Sequence, residues 1–286
     1  MIPASFDYVA PRTLDEAISV LAQNEDEGKI LAGGHSLIPL MKLRLATPQL
    51  LIDLGRVPDL AYIKDAGDHV AIGAMTTYFS LQSSKLLQER VPLLSNASAL
   101  VGDMQVRNRG TIGGSCAHAD PASDMPAVLV ALDARIVARS HDEEREITAA
   151  NFFRDIWTSE LSPVEIVTEV RIPYPVTPEA HAYVKFRQRA ADWAIVGVAV
   201  SLSRANSTIE SASIVLTNVG PTPMRARRVE EVLLGESPGQ EVVERASSLA
   251  DNALQPSDEL RGSAEYKRHL ATVLTRRALL QALNLA

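Results

Sequence analysis

Ala32-Gly33-Gly34-His35-Ser36 and Thr111-Ile112-Gly113-Gly114-Ser115 decide the reading of this chain. Each follows an apolar or strand-like stretch, carries two adjacent glycines, closes on a hydroxyl residue and leads into helix-like sequence. A glycine pair lets the backbone approach a ligand closely and adopt conformations closed to other residues. Successive N–H groups in such a turn form a concave anion site. Each pair alone reads equally well as a plain strand-to-helix turn, and neither matches GxGxxG or the Walker loop. Together they predict a diphosphate gripped from two sides. The N–H groups of Gly33, Gly34, Gly113 and Gly114 would supply donors. The hydroxyls of Ser36, Thr111 and Ser115 would supply more, and the helix start after Ser36 a favourable partial charge.

Working outward, Thr13-Leu14-Asp15-Glu16 reads as a capping box, with Leu14, Ala17, Ile18 and Leu21 at helical spacing behind it. Lys29–Ala32 and Leu50–Leu54 read as buried strands. Ser36 is expected to cap a short helix whose apolar face holds Leu37, Leu40, Met41 and Leu45. Residues 1–55 therefore form a small β-α-β unit. Beyond it, Tyr62-Ile63 and His69–Ile72 flank a hairpin turn, Asp65-Ala66-Gly67-Asp68. Helices are expected over Thr77–Leu87, Pro92–Val101 and Met125–Leu132, and a strand over Ala134–Arg139. Arg171–Pro178 carries three prolines, at 173, 175 and 178, and is read as a boundary, since proline breaks both helix and sheet ladder. Residues 56–175 thus form a second unit. In residues 176–286, strands (Ala182–Arg187, Ala194–Leu202, Ser211–Val219) are followed by helices (Arg225–Leu234, Gln240–Asn252, Ala264–Leu285), an α+β arrangement.

The bulk properties remove several function classes. Of 286 residues, 46% are hydrophobic, enough for more than one core, and the net charge of −7 argues against nucleic-acid binding. Cys116 is the only cysteine, so neither an internal disulfide nor a thiolate-held iron–sulfur cluster can form within the chain. No apolar run reaches the length of a membrane span, and the N-terminus lacks a secretory pattern, which predicts a soluble cytoplasmic protein. No HxxxH or CxxC spacing suggests a metal, and no GxSxG or acid–base pair suggests a catalytic nucleophile. His35 and His118 are read as hydrogen-bonding residues and Cys116 as a small buried filler. In His118-Ala119-Asp120-Pro121-Ala122-Ser123-Asp124, the carboxylates of Asp120 and Asp124 are placed to accept sugar or ribityl hydroxyls, or else Ser123 or Asp124 caps the next helix. The basic cluster Lys185–Arg189 fits either a solvated strand edge or contact with an electron-rich cofactor or partner, where Lys185 would suit an electron-rich ring. Trp193 could shield a planar one, although a core or interface tryptophan is the commoner fate.

The phrases AGGHSLIPLMKLRLATP (32–48), RNRGTIGGSCAHADPASD (107–124), KFRQRAADWAIVGVAV (185–200) and NVGPTPMRA (218–226) resemble the FAD-carrying medium subunit of molybdenum hydroxylases, most nearly the aerobic carbon monoxide dehydrogenase type. The resemblance runs over essentially the whole chain. It implies an α+β fold: a two-part FAD-binding domain of the vanillyl-alcohol-oxidase (PCMH) type, residues 1–55 and 56–175, and a C-terminal domain over 176–286. By position, Ala32, Gly33, Gly34, His35, Ser36 and Leu37 with Thr111, Ile112, Gly113, Gly114 and Ser115 would hold the FAD diphosphate. Asp124 would meet its hydroxyls and Lys185 would lie by the isoalloxazine; Asp120 and Trp193 join the expected cofactor-binding set from the residue reading above. Trp193 stands where relatives often carry a tyrosine. No catalytic or metal residue is expected on this chain. The resemblance further implies a large subunit with the molybdenum cofactor, a small subunit with two [2Fe–2S] clusters, a dimer of heterotrimers, a quinone as electron acceptor, and peripheral association with the inner face of the membrane. Carbon monoxide is the first substrate expected, with N-heterocycles or aromatic acyl-CoA compounds as alternatives. A stand-alone FAD oxidoreductase and a flavin-free assembly subunit are the competing readings.

Overall fold

The computed structural model describes residues 2–174 and 179–285. The N-terminal unit is β1 (Asp7–Val9), α1 (Leu14–Gln23), β2 (Gly28–Leu31), α2 (Leu37–Lys42) and β3 (Leu50–Asp53). Its three strands are parallel in the order β1-β3-β2, with Tyr8 opposite Leu51 and Ile30 opposite Ile52. Thr13 caps α1 by accepting the Glu16 N–H, and Glu16 accepts the Arg12 N–H, close to the expected box. Ala17, Ile18 and Leu21 then pack with Ile52, Leu54 and Leu60 in a small core. Strand β1 was not expected. It is three residues long and partly exposed, too short to show a period.

The second unit begins with the hairpin β4 (Ile63–Asp65) and β5 (His69–Gly73), turning at Gly67 with φ of 96°. Five helices follow: α3 (Tyr78–Ser83), α4 (Lys85–Arg90), α5 (Pro92–Ser98), α6 (Met104–Arg109) and α7 (Ile112–His118). The expected single helix over Thr77–Leu87 is two, because Ser84 is extended and caps α4 through the Leu87 N–H. Next come α8 (Asp124–Ala131), β6 (Arg135–Arg139), β7 (Glu144–Thr148), α9 (Ala149–Phe152), the small hairpin β8 (Phe153–Asp155) and β9 (Thr158–Ser159), and β10 (Ile166–Pro173). The sheet is antiparallel in the order β4-β5-β10-β6-β7. Arg171-Ile172-Pro173 does not break the ladder as expected: it completes β10, with Pro173 opposite His69 at the strand's end, where a missing N–H costs little. Pro175–Pro178, the rest of the expected boundary, lies outside the described residues.

The C-terminal unit is a four-stranded antiparallel sheet, β11 (Glu179–Phe186), β12 (Val196–Ala205), β13 (Thr208–Thr217) and β14 (Met224–Arg225). It carries α10 (Arg227–Leu233), α11 (Gln240–Ser247) and α12 (Ala264–Ala282). Helix α11 ends at Ser247, five residues short of the expected Asn252. Alternation along the strands decides what the sheet joins. Val198, Val200, Leu202, Ile214 and Leu216 face the core built with α10, α11 and α12. Tyr183, Ala199 and Val215 face the other way and join the core of the second unit. There they meet α8, every residue of which is buried, as a helix enclosed on all sides must be.

Candidate functional site

The two glycine pairs, eighty residues apart in sequence, touch. A Cβ built on Gly33 would lie 2.1 Å from the Arg109 carbonyl oxygen and 2.9 Å from Gly110 Cα, and one on Gly114 would lie 3.6 Å from Ala32 Cβ. Gly34 takes the left-handed φ of 78°, which turns the chain out of β2. The partner segment is pinned: the Tyr78 N–H donates to the Gly110 carbonyl (3.1 Å) and the Ile112 N–H to the Thr76 carbonyl (3.1 Å).

The two segments are not equivalent. From Gly33 to Ser36, no backbone N–H donates to any protein group among the described residues. These four successive donors are free for an anion. Gly113 and Gly114 lie instead in the first turn of α7, and their N–H groups are already used, by the Ala74 carbonyl (2.9 Å) and the Thr111 hydroxyl (3.2 Å). The expectation that both N–H groups point at a diphosphate is therefore corrected. Gly113 is small because a Cβ would meet that of Ala74 at 2.5 Å. What the second segment presents is its hydroxyls and its small cross-section. Ser115 hydrogen-bonds the Tyr78 hydroxyl and lies 3.2 Å from the Ser123 hydroxyl. Burial pushes the Tyr78 hydroxyl's pKa well up, so it stays protonated.

Ser36 does not cap α2. Its backbone is already helical and its side chain makes no capping bond, so hydroxyl and N–H both remain available. Leu45, expected on the buried face, is exposed; Met41 alone of that helix is buried. His35 is exposed and Leu37 half-buried. Thr111 caps α7, and Ile112 and Cys116 face the core. Burial pushes the Cys116 thiol up to about 12, as a filler residue requires.

The carboxylates differ sharply. Asp120 is partly exposed, accepts the Ala122 N–H (2.8 Å) and faces His118 Nε2 at 3.7 Å. Burial lowers the pKa of His118, so neutral imidazole is favoured. Asp124 is buried at the start of α8. Tyr183 donates to its Oδ1 at 2.6 Å, and Lys185 Nζ reaches its Oδ2 at 2.8 Å. Burial raises this carboxyl above the usual carboxylate range, while the lysine and tyrosine oppose that shift. Lys185 also donates to the Leu100 carbonyl (3.2 Å), so it forms a buried cross-domain ion pair instead of an isolated positive charge. Neither Ser123 nor Asp124 caps α8 with its side chain; Ser123 turns to Ser115. Trp193 is 56% exposed with the Arg261 guanidinium 4.2 Å above its ring, and Arg261 Nη1 is buried without a hydrogen-bond partner. Among the described residues no group of three or more His, Cys, Asp or Glu side chains could hold a metal, and no helix is long and apolar enough to cross a membrane.

Sequence reasoning missed Tyr78, Tyr183, Thr217, Asn218 and Arg261. Each acts by a long-range contact without a local pattern, although Asn218 opens the NVGPTPMRA phrase. Its backbone N–H donates to the Pro121 carbonyl (2.9 Å) and its side chain to the Ala194 carbonyl (3.0 Å), tying three segments together.

The free donors at 33–36, the left-handed Gly34, the adjoining hydroxyls and the space kept open by Gly114 fit an extended diphosphate cofactor. Comparison with known proteins agrees. Residues 4–175 match the FAD binding domain in molybdopterin dehydrogenase, and residues 181–282 the CO dehydrogenase flavoprotein C-terminal domain. The carbon monoxide dehydrogenase medium chain of Hydrogenophaga pseudoflava is 41% identical over 279 residues, covering 98% of this chain and 97% of that one. The glyceraldehyde dehydrogenase medium chain of Sulfolobus acidocaldarius is 37% identical, covering 97% and 98%. A solved carbon monoxide dehydrogenase from Hydrogenophaga pseudoflava superposes with a TM-score of 0.96 at 42% identity, covering 99% of this chain and 98% of that one. The chain belongs to the FAD-binding flavoprotein family of the molybdopterin dehydrogenases, with a C-terminal domain of the CO dehydrogenase flavoprotein type.

Proposed function

We propose that this chain is the electron-exit subunit of a molybdenum hydroxylase, holding one FAD. The bound FAD supplies one- and two-electron chemistry between iron–sulfur clusters and an external acceptor. The chain's own residues bind and orient it. The backbone from Ala32 to Leu37 donates to the diphosphate, and Thr111–Ser115 close the opposite wall. Asp120 and Asp124 lie where sugar or ribityl hydroxyls would be met. Lys185 and Trp193 belong to the isoalloxazine end, where the Trp193 side chain is half-exposed. The chain divides for this purpose at residues 55 and 175, into two cofactor-holding parts and a C-terminal domain.

The observation that carries this reading is the row of four unpaired N–H groups at 33–36, set against the close-packed Arg109–Gly113 segment. Among the described residues no group of three or more His, Cys, Asp or Glu side chains could hold a metal. Substrate oxidation is assigned to partners: a large subunit with the molybdenum cofactor and a small one with [2Fe–2S] clusters. A dimer of heterotrimers, a quinone acceptor and a cytoplasmic location at the inner membrane face complete the proposal. Carbon monoxide is the substrate of choice. The glyceraldehyde-oxidising relative matches almost as well, which is what a subunit remote from substrate choice should show. The test is an anaerobic visible spectrum of the native complex before and after carbon monoxide. Bleaching of flavin and iron–sulfur bands supports both cofactor and substrate. Bleaching by dithionite alone keeps the flavin reading and rejects carbon monoxide.

A further inference from the structure

The stretch Pro121–Asp124 links the proposed cofactor cradle to the C-terminal sheet, and three hydrogen bonds from that sheet and one from Asn218, just after β13, hold it. The Asn218 N–H donates to the Pro121 carbonyl (2.9 Å) and the Thr217 hydroxyl to the Ser123 carbonyl (2.9 Å). The Tyr183 hydroxyl donates to Asp124 Oδ1 (2.6 Å) and Lys185 Nζ to Oδ2 (2.8 Å). The stretch's other side meets the cradle: Ser123 Oγ lies 3.2 Å from Ser115 Oγ, which hydrogen-bonds Tyr78.

Tyr183 reaches Asp124 only because of a glycine. On β12, Gly197 pairs with Lys185, two residues along from Tyr183 on the same face. A Cβ at Gly197 would lie 2.6 Å from the Tyr183 hydroxyl oxygen and 3.2 Å from its ring carbon. The ring therefore lies across the gap left by Gly197 and delivers its hydroxyl, buried, to a buried carboxylate. A glycine inside a strand weakens it, so the close approach it permits is the reason for its presence.

We propose that Tyr183 is a positioning residue for the cofactor cradle. Through Asp124 and the 121–124 stretch, with Thr217 as a second tie, it sets the Ser115 hydroxyl, so that FAD retention depends on docking of a domain side chain that does not itself hold FAD. This rests on the flavin reading above.

The test uses the complex purified from its source with its bound partners, dialysed against FAD-free buffer while flavin release is followed. Tyr183→Phe keeps the ring and removes the hydroxyl, and release should quicken about tenfold, the order expected for one hydrogen bond to a carboxylate. Gly197→Ala, which displaces that hydroxyl, should act in the same direction. Thr217→Val should act likewise from the neighbouring strand, and carries the test should Tyr183→Phe fail to assemble. Ile214→Val trims the opposite face of the same sheet and should lower the thermal midpoint without speeding release. Wild-type release rates in Tyr183→Phe and Thr217→Val, or equal acceleration by Ile214→Val, would overturn the proposal. A wild-type complex without flavin would overturn the flavin reading itself.

Discussion

Gly33→Ala should damage this protein more than any other single methyl group added to the glycine pairs. The new Cβ would sit 2.1 Å from the Arg109 carbonyl oxygen, 2.8 Å from its carbon and 2.9 Å from Gly110 Cα. Ordinary carbon–oxygen contact needs well over an ångström more. All three neighbours are backbone, so no rotamer change relieves the clash. Nor can that backbone move cheaply: the Gly110 N–H is bonded to the Val106 carbonyl at 2.7 Å, and the Gly110 carbonyl accepts the Tyr78 N–H. Overpacking of this kind costs roughly 1–3 kcal/mol, often with backbone shifts. At about 2–4 °C per kcal/mol for a chain approaching this size, the thermal midpoint of the flavin-free protein should fall by roughly 2–12 °C. Gly114→Ala is the control. Its Cβ meets only the Thr111 hydroxyl, at 2.8 Å, which is the end of a side chain, and Ala32 Cβ at an ordinary 3.6 Å. It also gains about 1 kcal/mol of helix propensity in α7. It should be nearly neutral for flavin-free stability. Differential scanning fluorimetry of both variants decides the matter. A Gly33→Ala variant as stable as wild type, or a larger loss from Gly114→Ala, would refute the packing argument.

Lys185→Met should cost about 3–5 kcal/mol, because it strands the buried Asp124 carboxylate without its cation. The penalty should depend on pH in a fixed direction. Burial already holds the folded carboxyl above its unfolded range, and losing the lysine raises it further. The folded state then prefers the protonated form, so the loss grows as pH rises above the unfolded value of about 3.9. Midpoints measured against wild type should be closer at pH 5 than at pH 8; an equal gap at both would contradict this assignment. Native Cys116, with its thiol pushed up to about 12, should resist thiol reagents at pH 8 and react only on unfolding; stoichiometric labelling of the folded chain would contradict its placement. Trp193→Ala should cost about 1 kcal/mol in a urea titration, because the half-exposed ring loses its stack with Arg261.

Much of the fold was legible because its signals are local. The Thr13–Glu16 box, the β4–β5 turn at Gly67 and the strand-like runs that became β12 and β13 each lie within a dozen residues. Elements that escaped notice include the short β1, the polar α6, α7 with its two glycines, and the eight-residue β10, whose end was hidden by reading Arg171–Pro178 as a boundary. The glycine pairs pointed to two segments that meet in the fold, yet their work differs: Gly33 and Gly113 permit backbone packing, while the open donors belong to 33–36. A sequence shows that a glycine is needed, but the neighbour it spares can be eighty residues away. Asp124 and Lys185 were both singled out, whereas their ion pair was not foreseen, since only folding brings α8 under β11. Tyr183 and Gly197 looked like ordinary strand residues for the same reason.

The measurement that bears most directly on the central claim is the flavin content of the native complex, read as FAD released by acid per copy of this chain. One FAD per chain, falling to near zero when Gly33→Val blocks the approach of the 33–36 donors to the opposite wall, is the predicted result. A native complex that contains this chain and no FAD, or a Gly33→Val variant that keeps its full complement, would contradict it.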